Sequence, residues 1–184
     1  MKTLDIVTWP AKVLETPAED VVDFNVEIQD LARLMHATMD KEGGIGLAAN
    51  QVNILKRMFT VYIPFGVNRY EEEEDEKVEE QWWHNKRFTF INPVITKKKG
   101  RVSFMEGCLS FPEVFDFVER SSELSVMAYD EFGKEFHVEA DGLFAICLQH
   151  EIDHINGIVF IKRMSRLKAG AIKKKILAEK EGKS

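Results

Sequence analysis

The segment Gln149-His150-Glu151-Ile152-Asp153-His154 lies between two strongly apolar stretches, Leu143–Leu148 and Ile155–Phe160. Apolar flanks on both sides require burial, and residues 142–155 read as one helix with Leu143, Ile146, Cys147 and His150 on one side. Two imidazoles and two carboxylates in a buried helix are costly unless something compensates them. Helical residues four apart stack one turn above each other, so His150 and His154 can reach one metal ion. Glu151 is rotated about 100° from His150, beside such an ion, where a general base for a metal-activated water belongs. This H-E-x-x-H pattern is the strongest constraint in the chain.

A catalytic site of this kind usually has three protein ligands and an open position for water. The chain has two cysteines, Cys108 and Cys147, too few for a disulfide framework. Cys147 lies on the same helix, but residues 147 to 154 span about 10 Å along the axis. Metal–ligand bonds of about 2.0–2.3 Å make it hard for one ion to collect Cys147, His150 and His154 together. Cys147 therefore reads as a small packing residue. Cys108, in a glycine-containing bend after a strand (Met105-Glu106-Gly107-Cys108-Leu109-Ser110), can approach from another direction and is the better third ligand. A thiolate and two imidazoles suit zinc, ferrous iron or cobalt.

The remaining elements give an α+β class: short antiparallel strands in small sheets around the buried helix, with a C-terminal helix. Residues 26–41 read as a helix with Asn25 as cap and Gly43-Gly44 as stop. Strand-like runs fall at 58–64, 88–95, 102–105, 124–129 and 136–139, the last two joined by a turn at 130–133. No helix-length crossover separates them, so they pair antiparallel. Gly44-Ile45-Gly46-Leu47-Ala48-Ala49-Asn50-Gln51 packs small residues around one amide. It lacks the context of a dinucleotide or phosphate loop, and alone it reads as a tight loop with a small-residue patch.

The net charge of -6 is unevenly spread. Residues 71–80 carry eight acids against Lys77, and read as an acidic surface loop insertion. From Lys162 onward nine bases face only Glu179 and Glu181, which suggests a basic amphipathic helix from about Leu167 to Lys180. The expected organisation is a catalytic domain over 1–164 and a basic C-terminal helix or tail over 165–184. No apolar run approaches a membrane span, and Met1–Ile6 shows no leader pattern, so a cytoplasmic location without membrane partners is expected.

Three motifs, GIGLAANQ (44–51), EGCLS (106–110) and QHEIDH (149–154), together resemble the signature of the peptide deformylase family, in the family's order. The likeness extends over about residues 5 to 165. It implies hydrolytic removal of the formyl group from the N-terminal formyl-methionine of new proteins by a metal-bound water or hydroxide, releasing formate. By the resemblance, Cys108, His150 and His154 hold one divalent metal ion. Ferrous iron is implied as the native ion, with zinc, nickel or cobalt as replacements. Glu151 would be the general acid/base, Gln51 and the Leu109 backbone N–H the oxyanion donors, and Glu106 a supporting residue. The methionine pocket would fall on Ile45, Phe104, Leu143, Ile146 and Cys147, with Gly46 and Gly107 letting the substrate peptide approach the backbone.

Two features depart from the family's pattern. The acidic loop is longer and more charged, and Phe111-Pro112-Glu113 follows the cysteine motif where many members have a smaller residue and then Pro-Gly. Phe111 would narrow the groove beyond the methionine pocket. The expected partners are N-formylmethionyl nascent peptides and, through the basic C-terminal helix, the ribosome or its RNA; no DNA partner is expected. Two other readings are a general H-E-x-x-H metallopeptidase, whose third ligand is usually His or Glu, and a non-catalytic ribosome-associated metal-binding module, whose ion would need a fourth ligand.

Overall fold

A computed structural model describes residues 2–66 and 80–181. Most of the acidic run, residues 71–79, therefore lies outside the described residues. Helix α1 (Val26–Lys41) begins where Asn25 accepts from the backbone N–H of Glu27 and Ile28, as its side chain predicts. It stops at Gly43, whose φ of 66° is left-handed and cheap only for glycine. The face carrying Ile28, Met35 and Met39 is buried, with Ala32 and Thr38 beside them, while Leu31 is half-buried.

The strands are β1 (Gly46–Ala48), β2 (Met58–Tyr62), β3 (Arg87–Lys99), β4 (Val102–Cys108), β5 (Phe111–Arg120), β6 (Glu123–Tyr129) and β7 (Glu135–Asp141). Five form one sheet in the order β1-β2-β3-β6-β7, and β4 with β5 makes a separate two-stranded ribbon. All these pairings are antiparallel, as expected without crossover helices. The sequence predicts strands at five of these places. It misses β1, which looks like loop, and β5, which it leaves unassigned. At the β6–β7 turn, the Asp130 carboxylate accepts from the N–H groups of Phe132 and Lys134.

Helix α2 (Gly142–Ile155) runs against β1, β2 and β7, and from Phe144 to Ile155 every residue is buried. Phe144, Phe59 and Phe90 are fully buried and share one aromatic core with Trp83 and Phe88. Burying each such ring removes about 1.5–3 kcal/mol of apolar surface from water. After α2 the chain turns at Gly157 (φ 71°), where a Cβ would come within 2.8 Å of the Glu15 carbonyl oxygen. Glycine is required there by both conformation and space.

Helix α3 (Arg166–Glu181) follows and packs away from the large sheet. Its Ile172 and Ile176 lean on a cluster that includes Trp9, Phe111 and Phe160. Among the described residues, no helix is long and apolar enough to cross a membrane.

Candidate active site

Three elements bring the three sequence motifs together. Helix α2 supplies His150 and His154, whose Nε2 atoms are 3.2 Å apart. Strand β4 carries Cys108 at its end, where the register with β5 shifts between Gly107 and Cys108. That irregularity turns the thiol inward, so Cys108 Sγ lies 3.2 Å from His154 Nε2. One donor atom from each of Cys108, His150 and His154 falls within 4.8 Å of the others. A soft sulfur and two imidazole nitrogens at this spacing fit one divalent ion. Cys147, on the same helix, does not join them; its Sγ faces the Ile45 carbonyl at 3.7 Å.

The surrounding groups are held by identifiable partners. His150 turns its Nδ1 to Glu106 Oε2 at 2.8 Å, which leaves Nε2 for the ion. Glu106 in turn accepts two hydrogen bonds from Arg120, at 2.6 and 2.9 Å. Burial would raise the Glu106 carboxyl, but the Arg120 and His150 hydrogen bonds outweigh it and hold it at about 2. Arg120 also donates to Asp153, and Asp153 is gripped from outside by Arg163. A line of alternating charge thus runs from His150 through Glu106, Arg120 and Asp153 to Arg163. Sequence reading marked Asp153 as needing a partner and missed Arg120 and Arg163.

Glu151 is 3% exposed, and its Oε2 has no hydrogen-bond partner among the described residues. Burial pushes its carboxyl up to about 7. Its other oxygen lies so close to Gly46 that a Cβ there would overlap it. The Gln51 side chain is fixed from behind, because its Oε1 accepts from the Ala48 N–H at 2.8 Å. Its Nε2 then points to Ser110 Oγ at 3.3 Å and Cys108 Sγ at 3.6 Å. Burial pushes the Cys147 thiol up, with Glu151 adding to the effect.

A cavity of about 370 Å³ opens beside this cluster. Ile45, Phe104, Leu143, Ile146 and Cys147 give it apolar walls, and Gly46 and Gly107 lie on its surface. Gln51, Glu106, Cys108, Leu109, His150 and Glu151 also reach it, so the catalytic, ligand and pocket residues expected from sequence share one cavity, except His154. His154 is 1% exposed and does not line it. The lining also includes Glu42, Pro112, Glu113 and Phe115, of which Glu42 and Phe115 were not expected from sequence. Phe111 touches the cavity but is 1% exposed, packed between Trp9 and Phe160. The groove-narrowing aromatic is instead Phe115, whose ring lies against Gly107.

The sequence pattern of polypeptide deformylase matches residues 3–170. A peptide deformylase of Chromobacterium violaceum is 42% identical over 176 residues, covering 96% of this chain and 95% of the relative. One from Neisseria gonorrhoeae is 40% identical over the same shares of each chain. The crystal structure of the peptide deformylase from Ehrlichia chaffeensis superposes with a TM-score of 0.86 at 37% identity, covering 99% of both chains. With its three motifs folded into one cavity, the chain belongs to the polypeptide deformylase family.

Proposed function

We infer that this protein is a metal-dependent hydrolase that removes the formyl group from the N-terminal formyl-methionine of nascent chains, with Cys108, His150 and His154 holding its one divalent ion. The observation that carries the residue assignment is the convergence of one sulfur and two imidazole nitrogens within 4.8 Å, at a cavity that also holds the unpaired Glu151 oxygen. Family membership decides against a general metallopeptidase and a non-catalytic module. Ferrous iron is our assignment for the native ion, on the family resemblance, with zinc, nickel and cobalt as replacements; the mixed sulfur–nitrogen donor set suits a divalent ion of this group without choosing among them.

An ion held by Cys108, His150 and His154 would supply Lewis acidity to the formyl carbonyl and ease deprotonation of a water nucleophile near neutral pH. The substrate methionine side chain enters between Ile45, Phe104, Leu143, Ile146 and Cys147; Gly46 and Gly107 lie in the same wall, where the space left by their missing side chains is taken by Glu151 and by the Phe115 ring. Glu151, buried beside the ligand candidates on the cavity wall, takes the proton from the attacking water. The Gln51 amide and the Leu109 backbone N–H donate to the carbonyl oxygen as it gains negative charge. Donors of this kind are each worth about 2.7–4 kcal/mol in the transition state. Glu151 then returns its proton to the departing methionine nitrogen, and formate and a free N-terminus result.

We read residues 1–164 as the catalytic unit and 165–184 as an appended basic helix that meets ribosomal RNA. The exposed Arg166 and Lys174 support that role, and action on nascent chains fits a cytoplasmic location. Salt-sensitive co-sedimentation with ribosomes tests the helix, and equal binding by a chain lacking 165–184 would refute it. The activity itself is tested by formate release from formyl-Met-Ala-Ser. Release that stops on chelation supports the reading; cleavage of unformylated peptides without formate production opposes it.

A further inference from the structure

The substrate cavity does not end at its mouth. Pro112, Glu113 and Phe115 line it and also line a second groove of about 350 Å³ between the start of β5 and helix α3. The helix contributes Lys168, Ala171, Ile172, Lys175, Ile176 and Glu179. These positions recur every three or four residues, so they form one stripe along a helix face. Ile172 and Ile176 are held against the Trp9–Phe111–Phe160 cluster, which fixes the stripe relative to β5. Val114 faces them from the strand.

The charges around this groove largely neutralise one another. Lys168 Nζ lies 2.8 Å from Asp116 Oδ1, and Lys175 Nζ lies 3.9 Å from Glu179 Oε1. An apolar floor with a self-paired rim suits an extended polypeptide better than a phosphate backbone, which needs unpaired cations. At the join of the two cavities stands Glu113, in left-handed backbone geometry (φ 62°) that non-glycine residues seldom adopt. Such geometry persists only where its surroundings enforce it. Here it places a bend of the chain where the first cavity passes into the second.

We propose that the groove between β5 and α3 receives the downstream part of the substrate's own chain, making α3 one wall of a continuous peptide track. This rests on the deformylase reading of the first cavity. An extended peptide advances about 3.3 Å per residue. On this proposal a tripeptide, about 10 Å long, stays in the first cavity, while eight residues, about 26 Å, reach the second. Contacts made so far from the formyl group are equal in the ground and transition states. They lower KM and leave kcat alone.

The test compares formyl-Met-Ala-Ser with an eight-residue peptide that begins with the same three residues and continues with uncharged ones. On the metal-loaded full chain, kcat/KM for the longer peptide should exceed that for the shorter by about tenfold, through KM. Ala171 is exposed within the stripe, so Ala171→Tyr fills the groove without disturbing the core. In that variant the ratio of long to short should fall to near one. Equal kcat/KM for both peptides in the wild type would overturn the proposal. So would a raised ratio that Ala171→Tyr leaves intact, because the advantage would then lie elsewhere. If neither peptide released formate, the deformylase reading itself would fail, and this proposal with it.

Discussion

Glu106 and Arg120 form a two-pronged buried ion pair, each side chain only 4% exposed, with Glu106 turned at the same time toward the Nδ1 of His150. Arg120 lies between two carboxylates, Glu106 and Asp153. The orientation of a metal-ligand candidate therefore depends on an arginine that itself never reaches the cavity.

Removing that cation leaves the buried Glu106 carboxylate with only His150 and leaves Asp153 to Arg163 alone. Arg120→Met should destabilise the fold by about 3–5 kcal/mol, the usual result of deleting one partner of a buried pair. In whatever fraction folds, a freed Glu106 should weaken metal affinity by about 10- to 100-fold. Urea denaturation and competitive chelator titration measure the two effects separately. Unchanged metal affinity in folded Arg120→Met would mean that the Glu106–His150 contact does not tune the site.

Glu151 is buried with one carboxylate oxygen that has no hydrogen-bond partner among the described residues. Glu151→Gln keeps the shape and removes the proton acceptor. Turnover should fall by at least about 100-fold with one ion still bound per chain. Formate assays and metal analysis on the same sample check this. Wild-type turnover in the variant would remove Glu151 from the mechanism.

Gly46 matters through the space above it. A methyl at this position would overlap Glu151 Oε1 and approach Cys147 Sγ to 2.9 Å. Gly46→Ala should therefore lower kcat/KM by about tenfold or more, since displacing a catalytic group by about 1 Å is costly. The thermal midpoint should fall as well, because crowding the buried Glu151 and Cys147 costs about 1–3 kcal/mol. A fully active Gly46→Ala enzyme would show that the carboxyl has room to retreat.

His36 gives a pH dependence remote from the metal site. Burial first, and then the nearby Arg87 charge, lower its pKa from the ordinary 6.5 to about 4, against an opposing pull from Asp40. The folded state thus favours neutral His36, and the unfolded chain takes up the proton first as pH falls. Stability should drop between pH about 6.5 and about 4, by up to about 3 kcal/mol from this residue. His36→Gln should flatten that part of the profile relative to wild type in denaturant unfolding. Parallel profiles for the two proteins would contradict the assignment.

Much of the site was legible because its residues carry unusual chemistry in short, local patterns. The H-E-x-x-H spacing is a property of one helix, and Asn25 and Gly43 bracket α1 through local capping alone. What escaped reading is set by tertiary contacts. Arg120 follows Glu119 in a charged stretch that looks like surface, and only its folded partners show why it is 6% exposed. Arg163 looked like the start of a basic tail, yet it closes the line of charge through Asp153. Strand β5 was hidden because its ribbon leaves Phe115 and Phe117 more than half exposed, which blurs the apolar–polar alternation. Phe111, placed in the groove by sequence reasoning, has its ring taken up by Trp9 and Phe160.

The most direct test is X-ray absorption spectroscopy on metal-loaded protein, compared with Cys108→Ala and His154→Ala. One ion per chain, with one sulfur neighbour near 2.3 Å and two imidazole nitrogens near 2.1 Å in wild type, is the expected result. The sulfur shell should vanish in Cys108→Ala, and one nitrogen should be lost in His154→Ala. An ion coordinated only by oxygen and nitrogen in the wild type, or a sulfur shell that survives Cys108→Ala, would contradict the account.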